Sequence, residues 1–151
     1  MPTVQDILNQ KGNQVASIGR DRTVLEAAQE MNKRRIGSLV VLEGQHVKGI
    51  FTERDILVRV VSESRDPART TVGQVMTTPV VCCNPETDLD ECKSIVTGRR
   101  IRHIPVIAGS ELVGIITSGD IMARESFERQ TTIDSLCEYI NGPAVHTTET
   151  S

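Results

Sequence analysis

The chain has 151 residues, a formal net charge of −3 and 2% aromatic content, with no Trp, two Phe and one Tyr. That length allows one ordinary domain or two small ones packed closely together. The acidic balance argues against a large phosphate-backbone interface, and the scarcity of aromatics leaves no platform for stacked bases, so nucleic-acid binding is not expected.

Thr3 to Leu8 form a short amphipathic opening, and Lys11-Gly12-Asn13 is turn-like. Val15-Ala16-Ser17-Ile18 suits a short strand. Thr23, with Glu26 three residues on, has the form of a capping box, and Val24, Ala27, Ala28 and Met31 fall on one helical stripe. Lys33, Arg34 and Arg35 suit a last turn, where cations meet the negative end of the helix dipole, and Gly37 breaks the helix. Ser38 to Leu42 and Val47 to Phe51 read as the two strands of a hairpin around Glu43-Gly44-Gln45-His46. Glu53 to Val61 predicts a second helix, with Ile56, Leu57, Val60 and Val61 on its inner face. The polar stretch from Ser62 to Thr70 reads as a linker.

The same order then recurs. Gly49-Ile50-Phe51-Thr52-Glu53-Arg54-Asp55 matches Gly114-Ile115-Ile116-Thr117-Ser118-Gly119-Asp120 at an offset of 65, and Ile36-Gly37-Ser38-Leu39-Val40-Val41 matches Ile101-Arg102-His103-Ile104-Pro105-Val106 at the same offset. Upstream the register drifts, and Thr3 to Leu8 pairs with Thr71 to Met76 at 68. The chain is therefore a duplication. A unit of about sixty residues buries only ~60% of its unfolded surface, so the copies are expected to share one aliphatic core. In the second copy Thr87 is expected to cap a helix carrying Leu89, Cys92, Ile95 and Val96. Ile104 to Ile107 and Leu112 to Ile116 form the hairpin, and a helix runs from Asp120 to about Phe127. Ile133, Leu136, Cys137 and Ile140 predict one further helix, which either covers the edge of the core or serves a dimer contact. Ala144 to Ser151 reads as a disordered tail.

Cys82, Cys83, Cys92 and Cys137 include no Cys-x-x-Cys pair, and with three scattered histidines no metal site is expected. Cys82-Cys83 reads either as small hydrophobes or as a redox pair. Reduced thiols, no leader-like N-terminus and no apolar run near the roughly 18 residues that span a bilayer predict a soluble, cytoplasmic protein with no membrane contact.

At each Gly–apolar–apolar–Thr–x–x–Asp junction the aspartate enters the first turn of a helix. There it is favoured by the dipole and can accept hydrogen bonds from a vicinal diol such as a ribose. The threonine hydroxyl and nearby N–H groups can meet a phosphate. The other reading is that Thr52 and Asp55, like Thr117 and Asp120, merely cap their helices.

This arrangement resembles the CBS domain, named after cystathionine β-synthase, and the tandem looks like a Bateman module of the small stand-alone bacterial kind. The resemblance implies an α+β fold, an α/β sandwich of two pseudo-symmetric β-α-β-β-α repeats over 1–63 and 64–124, with a C-terminal helix and tail over 125–151. It implies adenosyl ligands (AMP or ATP, or a dinucleotide such as NAD(H)) held in clefts between the repeats, with Thr52 and Asp55 in one site and Thr117, Ser118 and Asp120 in the other. Both motifs are complete, so neither site reads as dead, and the repeats are expected to offer either two adenosyl sites or one larger shared cleft. Arg54, Arg102 and His103 are expected to face phosphate, although Arg102 also reads as a solvated charge and His103 as a core-edge histidine. Gly37 and Ser38 stand where the second copy has Arg102 and His103, and Pro105 follows on the same strand. Thr78 and Pro79 either border the adenine or form a plain turn. The pairs Arg34-Arg35 and Arg99-Arg100 read as solvated residues that offset the helix dipole.

The resemblance also implies a disc-like homodimer and a downstream protein partner. No Ser/His/Asp or Cys/His arrangement recurs, so the chain is not expected to be an enzyme. The function expected is a regulatory sensor of adenosyl nucleotides. The alternative is an interaction adaptor with vestigial sites.

Overall fold

The computed structural model describes residues 2–126. The helix expected around Ile133 to Ile140, the tail and Cys137 lie outside them. The order is α1 (Val4–Lys11), β1 (Ser17–Gly19), α2 (Val24–Arg34), β2 (Ser38–Glu43), β3 (His46–Thr52), α3 (Glu53–Asp55) continued by a π-helix (Ile56–Val61), α4 (Val72–Val75), α5 (Leu89–Arg99), β4 (His103–Ala108), β5 (Glu111–Thr117) and a last helix, α6, over 118–126.

The duplication is visible in the sheets. β2 and β3 are antiparallel, Ser38 opposite Thr52, and β4 and β5 repeat this with His103 opposite Thr117. Each hairpin carries its irregularity at the same place, after Val41 and after Val106. β1 adds a parallel strand to the first sheet, Ile18 beside Val41. Its counterpart in the second sheet is a single bridge, Cys83 beside Val106. The full strand expected there is reduced to this bridge, with Cys83 N donating to Pro105 O at 3.0 Å and Ile107 N to Cys83 O at 2.8 Å.

The cap on α2 is as expected: Glu26 N donates to Thr23 Oγ1 at 3.1 Å, and Thr23 N donates to Glu26 Oε1 at 2.9 Å. Arg22 beside Glu26 holds that exposed carboxyl at about 2, well below the usual carboxylate range. α5 is capped by Asp88 rather than Thr87. The Thr87 hydroxyl instead accepts from Asn84 N at 3.1 Å and closes the turn before the helix. The helix expected over Glu53 to Val61 widens into a π-helix after one turn: Ser62 N donates to Leu57 O and Arg65 N to Val60 O, both at 2.9 Å. The run is rich in β-branched residues, which crowd the preceding turn of a regular α-helix. Only Val60 is fully buried there, at 1% exposure. Leu57 and Val61, expected inside, are 62% and 63% exposed.

One shared core was the expectation. The structure has two hydrophobic clusters, and each draws on both halves of the chain. The first combines Val24, Ala27, Met31, Leu39, Val41 and Phe51 with Val72, Val75 and Met76 from the start of the second half. The second combines Leu89, Cys92, Ile104, Val106, Ile116 and Ile121 with Val4, Ile7 and Leu8 from the start of the first. The opening segments are thus exchanged. The junction glycines make room for this: a Cβ on Gly49 would lie 2.6 Å from Met76 Sδ, and one on Gly114 would lie 2.7 Å from Leu8 Cδ2. Both clusters are aliphatic apart from Phe51 and the thiols of the second.

Candidate functional site

A cleft of about 550 Å³ opens beside the first junction. Its wall includes Gly37, Thr52, Arg54, Asp55, Arg102 and His103, six of the residues singled out from the sequence. It also includes Ile50, Glu53, Val58, Arg59, Thr77, Arg100 and Ile101. Ser38, Thr78, Pro79, Pro105, Thr117, Ser118 and Asp120 are not among its lining residues.

The carboxylate is set by the strand-to-helix turn. Thr52 N donates to Asp55 Oδ2 at 3.0 Å, the Thr52 hydroxyl donates to the same oxygen at 3.3 Å, and Asp55 N returns a bond to Thr52 Oγ1 at 3.3 Å. On the other oxygen, Oδ1, the Thr77 hydroxyl donates at 2.9 Å. The helix-capping role therefore holds. Three bonds against roughly four acceptor sites on a carboxylate leave one for a further donor. Asp55 is only 5% exposed, so its charge is held by these bonds rather than by water.

Thr77 reaches this position by pairing with β3: Thr77 N donates to Ile50 O at 2.8 Å and Ile50 N donates to Thr77 O at 3.0 Å. The polar group contributed by this segment is therefore Thr77, not the Thr78 and Pro79 expected from sequence. Arg59, which sequence reasoning passed over, holds the segment from below, donating to Met76 O at 2.8 Å. Its spacing of four from Asp55 was the available signal, since such pairs share a helix face. Arg100, expected to be solvated, belongs to the cleft wall. It ends α5 in the left-handed conformation, φ 56°, which carries the chain directly into Ile101, Arg102 and His103.

Gly37 and Glu53 fit as a small–large pair, because a Cβ at Gly37 would lie 2.7 Å from Glu53 Oε1. The second copy reverses the sizes with Arg102 and Ser118, while the backbone link is kept: Glu53 N donates to Gly37 O at 3.1 Å and Ser118 N to Arg102 O at 2.9 Å. Burial pushes the His103 imidazole below its ordinary value of 6.5. Arg102 and Lys11 push the same way, and Glu53 and Asp120 oppose them. Burial thus disfavours the imidazolium that the expected phosphate-facing role calls on.

The second junction is built alike but differs where it matters. Thr117 N donates to Asp120 Oδ2 at 2.8 Å, and Asp120 N donates to Thr117 Oγ1 at 3.0 Å. Among the described residues no hydroxyl bonds Asp120 as Thr77 bonds Asp55. The Lys11 ammonium bonds Asp120 Oδ2 at 2.7 Å and Ile115 O at 3.1 Å. A separate cavity of about 440 Å³ is lined by Cys82, Cys83, Asn84, Thr87 and Glu91 among others. Beside it, a hydrogen bond with Cys92 and burial push the Cys83 thiol up, which suits a small buried hydrophobe. No group of three or more His, Cys, Asp or Glu among the described residues is placed to hold a metal. No described helix is long and apolar enough to cross a membrane.

The model of the CBS domain matches residues 4–62 and again 72–126. The CBS domain-containing protein YhcV of Bacillus subtilis is 33% identical over 125 residues, which cover 83% of this chain and 86% of that one. The solved CBS-domain containing protein ATU1752 of Agrobacterium tumefaciens superposes with a TM-score of 0.78 at 36% identity, over 82% of this chain and 99% of that one. The CBS domain pair of MJ0100, solved in complex with 5′-methylthioadenosine and S-adenosyl-L-methionine, shares the fold with a TM-score of 0.75 at 23% identity, over 85% of this chain and 98% of that one. Two repeats with matching Thr-x-x-Asp junctions, and a cleft beside the first, define a paired-repeat α/β fold. The chain belongs to the CBS-domain family and carries the domain as a pair. CBS pairs are, as a class, regulatory rather than catalytic modules.

Proposed function

We propose that this CBS pair binds an adenosyl nucleotide in the cleft at the first junction and acts as a regulatory sensor of it. The observation that carries the reading is the composition of that one cleft. Asp55 and the Thr52 and Thr77 hydroxyls suit a ribose, and Arg54, Arg100 and Arg102 suit phosphate, while Ile50, Val58 and Ile101 supply apolar walls for a base. A volume of about 550 Å³ falls within the roughly 300–1,000 Å³ range of small-molecule sites and suits a mononucleotide such as AMP or ATP, with NAD(H) at the upper limit. A ligand regulates only if it favours one arrangement of the repeats or protomers over another.

Homodimerisation belongs to the same reading. It is supported by exposed Leu57 and Met122, which the duplication places in equivalent positions on α3 with its π-helical continuation and on α6, 62% and 63% exposed. The same exposed pair is what an adaptor without a ligand would use.

Isothermal titration with AMP, ATP and NADH tests the ligand. Arg102→Ala is expected to weaken AMP by about 10- to 100-fold, the value of a charge-assisted bond to phosphate, and to leave adenosine nearly unchanged. Neither heat nor a melting shift with any of the three at millimolar concentration would reject the sensor and favour the adaptor.

A further inference from the structure

The two junctions are equivalent in sequence but not in the segment that lies across them. At the first junction α4 ends at Val75. The chain then turns extended, so that Thr77 pairs with Ile50 through its backbone and with Asp55 through its hydroxyl. At the second junction the corresponding opening helix does not stop. α1 runs on to Lys11, and Gly12 closes it with Gly12 N donating to Leu8 O at 2.8 Å. Asn9, the register partner of Thr77, is therefore helical and forms no bridge with Ile115. One side chain reaches both the strand carbonyl and the carboxylate of this junction. The Lys11 ammonium donates to Ile115 O, the counterpart of the Ile50 carbonyl that accepts from Thr77 N. It also donates to Asp120 Oδ2, the oxygen that accepts from Thr117 N, whereas Thr77 bonds Oδ1 of the carboxylate at the first junction.

We infer that Lys11 is a built-in occupant of the second junction, so that each chain takes one adenosyl nucleotide, at the first junction, and Lys11 is the residue that sets this number. Two features act together. The carboxylate that would accept a ribose diol is already neutralised by a cation 2.7 Å away. The extended wall that borders the first cleft is replaced by the last turn of α1. Among the described residues Asp55 has no such competitor: the cation nearest to it, Arg59, stands 3.9 Å off and bonds the backbone carbonyls of Val75 and Met76. The ion pair at Asp120 is partly exposed, the two side chains at 32% and 24%, so it is a competitor that a substitution can remove rather than a structural anchor.

The inference rests on the functional reading above, and the test separates the two. AMP binding is counted by titration in wild type, Lys11→Met, Asp120→Ala and the double variant, each shown to be folded by its melting curve. Methionine keeps the length of the stem and removes the donor. The result expected is one AMP per chain in wild type and in Asp120→Ala, two in Lys11→Met, and one again in the double variant. Two AMP per chain in wild type, with one lost in Asp120→Ala, would overturn the inference. So would a count that stays at one in Lys11→Met.

A second measurement needs no nucleotide. Competitive acetylation read by mass spectrometry is expected to modify Lys11 several-fold more slowly than exposed Lys33 in wild type, and at a similar rate in Asp120→Ala. Equal rates for the two lysines in wild type would show that Lys11 does not occupy the junction, whatever AMP does. If no variant binds AMP, the sensor reading fails, and the acetylation rates alone decide the role of Lys11.

Discussion

His103 shows how much one side chain's surroundings can alter a role read from its type. Its imidazole lies at the cleft wall, where Glu53 and Asp120 favour its charge and Arg102 and Lys11 oppose it. Burial dominates, and its pKa falls below 6.5 in the folded protein. The sign for folding follows: with the folded pKa depressed, the unfolded chain binds the proton more readily. Stability contributed by neutral His103 is therefore full above pH 6.5 and declines as pH falls below that value toward the folded pKa. A bound phosphate would reverse the balance by favouring the imidazolium. AMP is then expected to bind more tightly as pH falls from about 7.5 to 6, with proton uptake. His103→Asn should flatten the part of this pH dependence that does not come from the phosphate itself. Titrations in two buffers of different ionisation enthalpy measure the proton uptake, and equal uptake in wild type and variant would remove His103 from the site.

Among the elements, the π-helix from Ile56 to Val61 most changes what the sequence led one to expect. A regular α-helix would have turned Leu57 and Val61 inward. The wider turn leaves them exposed, while Val58 and Arg59 face the cleft. One element thus serves the site with Val58 and Arg59 and exposes Leu57 and Val61, and the duplication gives Leu57 its equivalent in exposed Met122. The pair Leu57→Glu and Met122→Glu is expected to convert a dimer to a monomer in sedimentation without lowering the melting temperature of the monomer, because neither side chain contributes to a cluster. A wild type that sediments as a monomer at high concentration would leave this face without a self-partner and point to the adaptor.

At the scale of the whole molecule, the exchange of opening segments makes the two halves depend on each other. Leu8 belongs to the first half by sequence and to the second cluster by packing, and Met76 is the reverse. Leu8→Ala should cost about 2–5 kcal/mol. Its effect on amide hydrogen exchange should appear first in β4 and β5, with β2 and β3 protected longer. Met76→Ala should show the opposite order. If Leu8→Ala instead released β2 and β3 first, the exchanged packing would be wrong. Such coupling also gives a ligand in the cleft a route to the rest of the molecule, since Thr52 and Asp55 of one half meet Thr77, Arg100, Arg102 and His103 of the other there.

The sequence by itself determined the duplication, the hairpins, the capped helix after Thr23 and the importance of the Thr-x-x-Asp junctions. These rest on short-range chemistry, in which a glycine, a cap or an alternating apolar run acts within a few residues of itself. It also brought out six residues that the cleft gathers: Gly37, Thr52, Arg54, Asp55, Arg102 and His103. Only the tertiary structure decided which opening segment crosses which junction, and that decided the rest. Where α4 stops after one turn, Thr77 completes a cleft. Where α1 continues to Lys11, its ammonium bonds the equivalent carboxylate and the equivalent strand carbonyl. The helix lengths follow the residues at their ends, Thr77-Thr78-Pro79 after α4 and Asn9-Gln10-Lys11-Gly12 closing α1. Which junction each segment crosses is set by the packing of Leu8 against Gly114 and Met76 against Gly49, long-range contacts that no local pattern records.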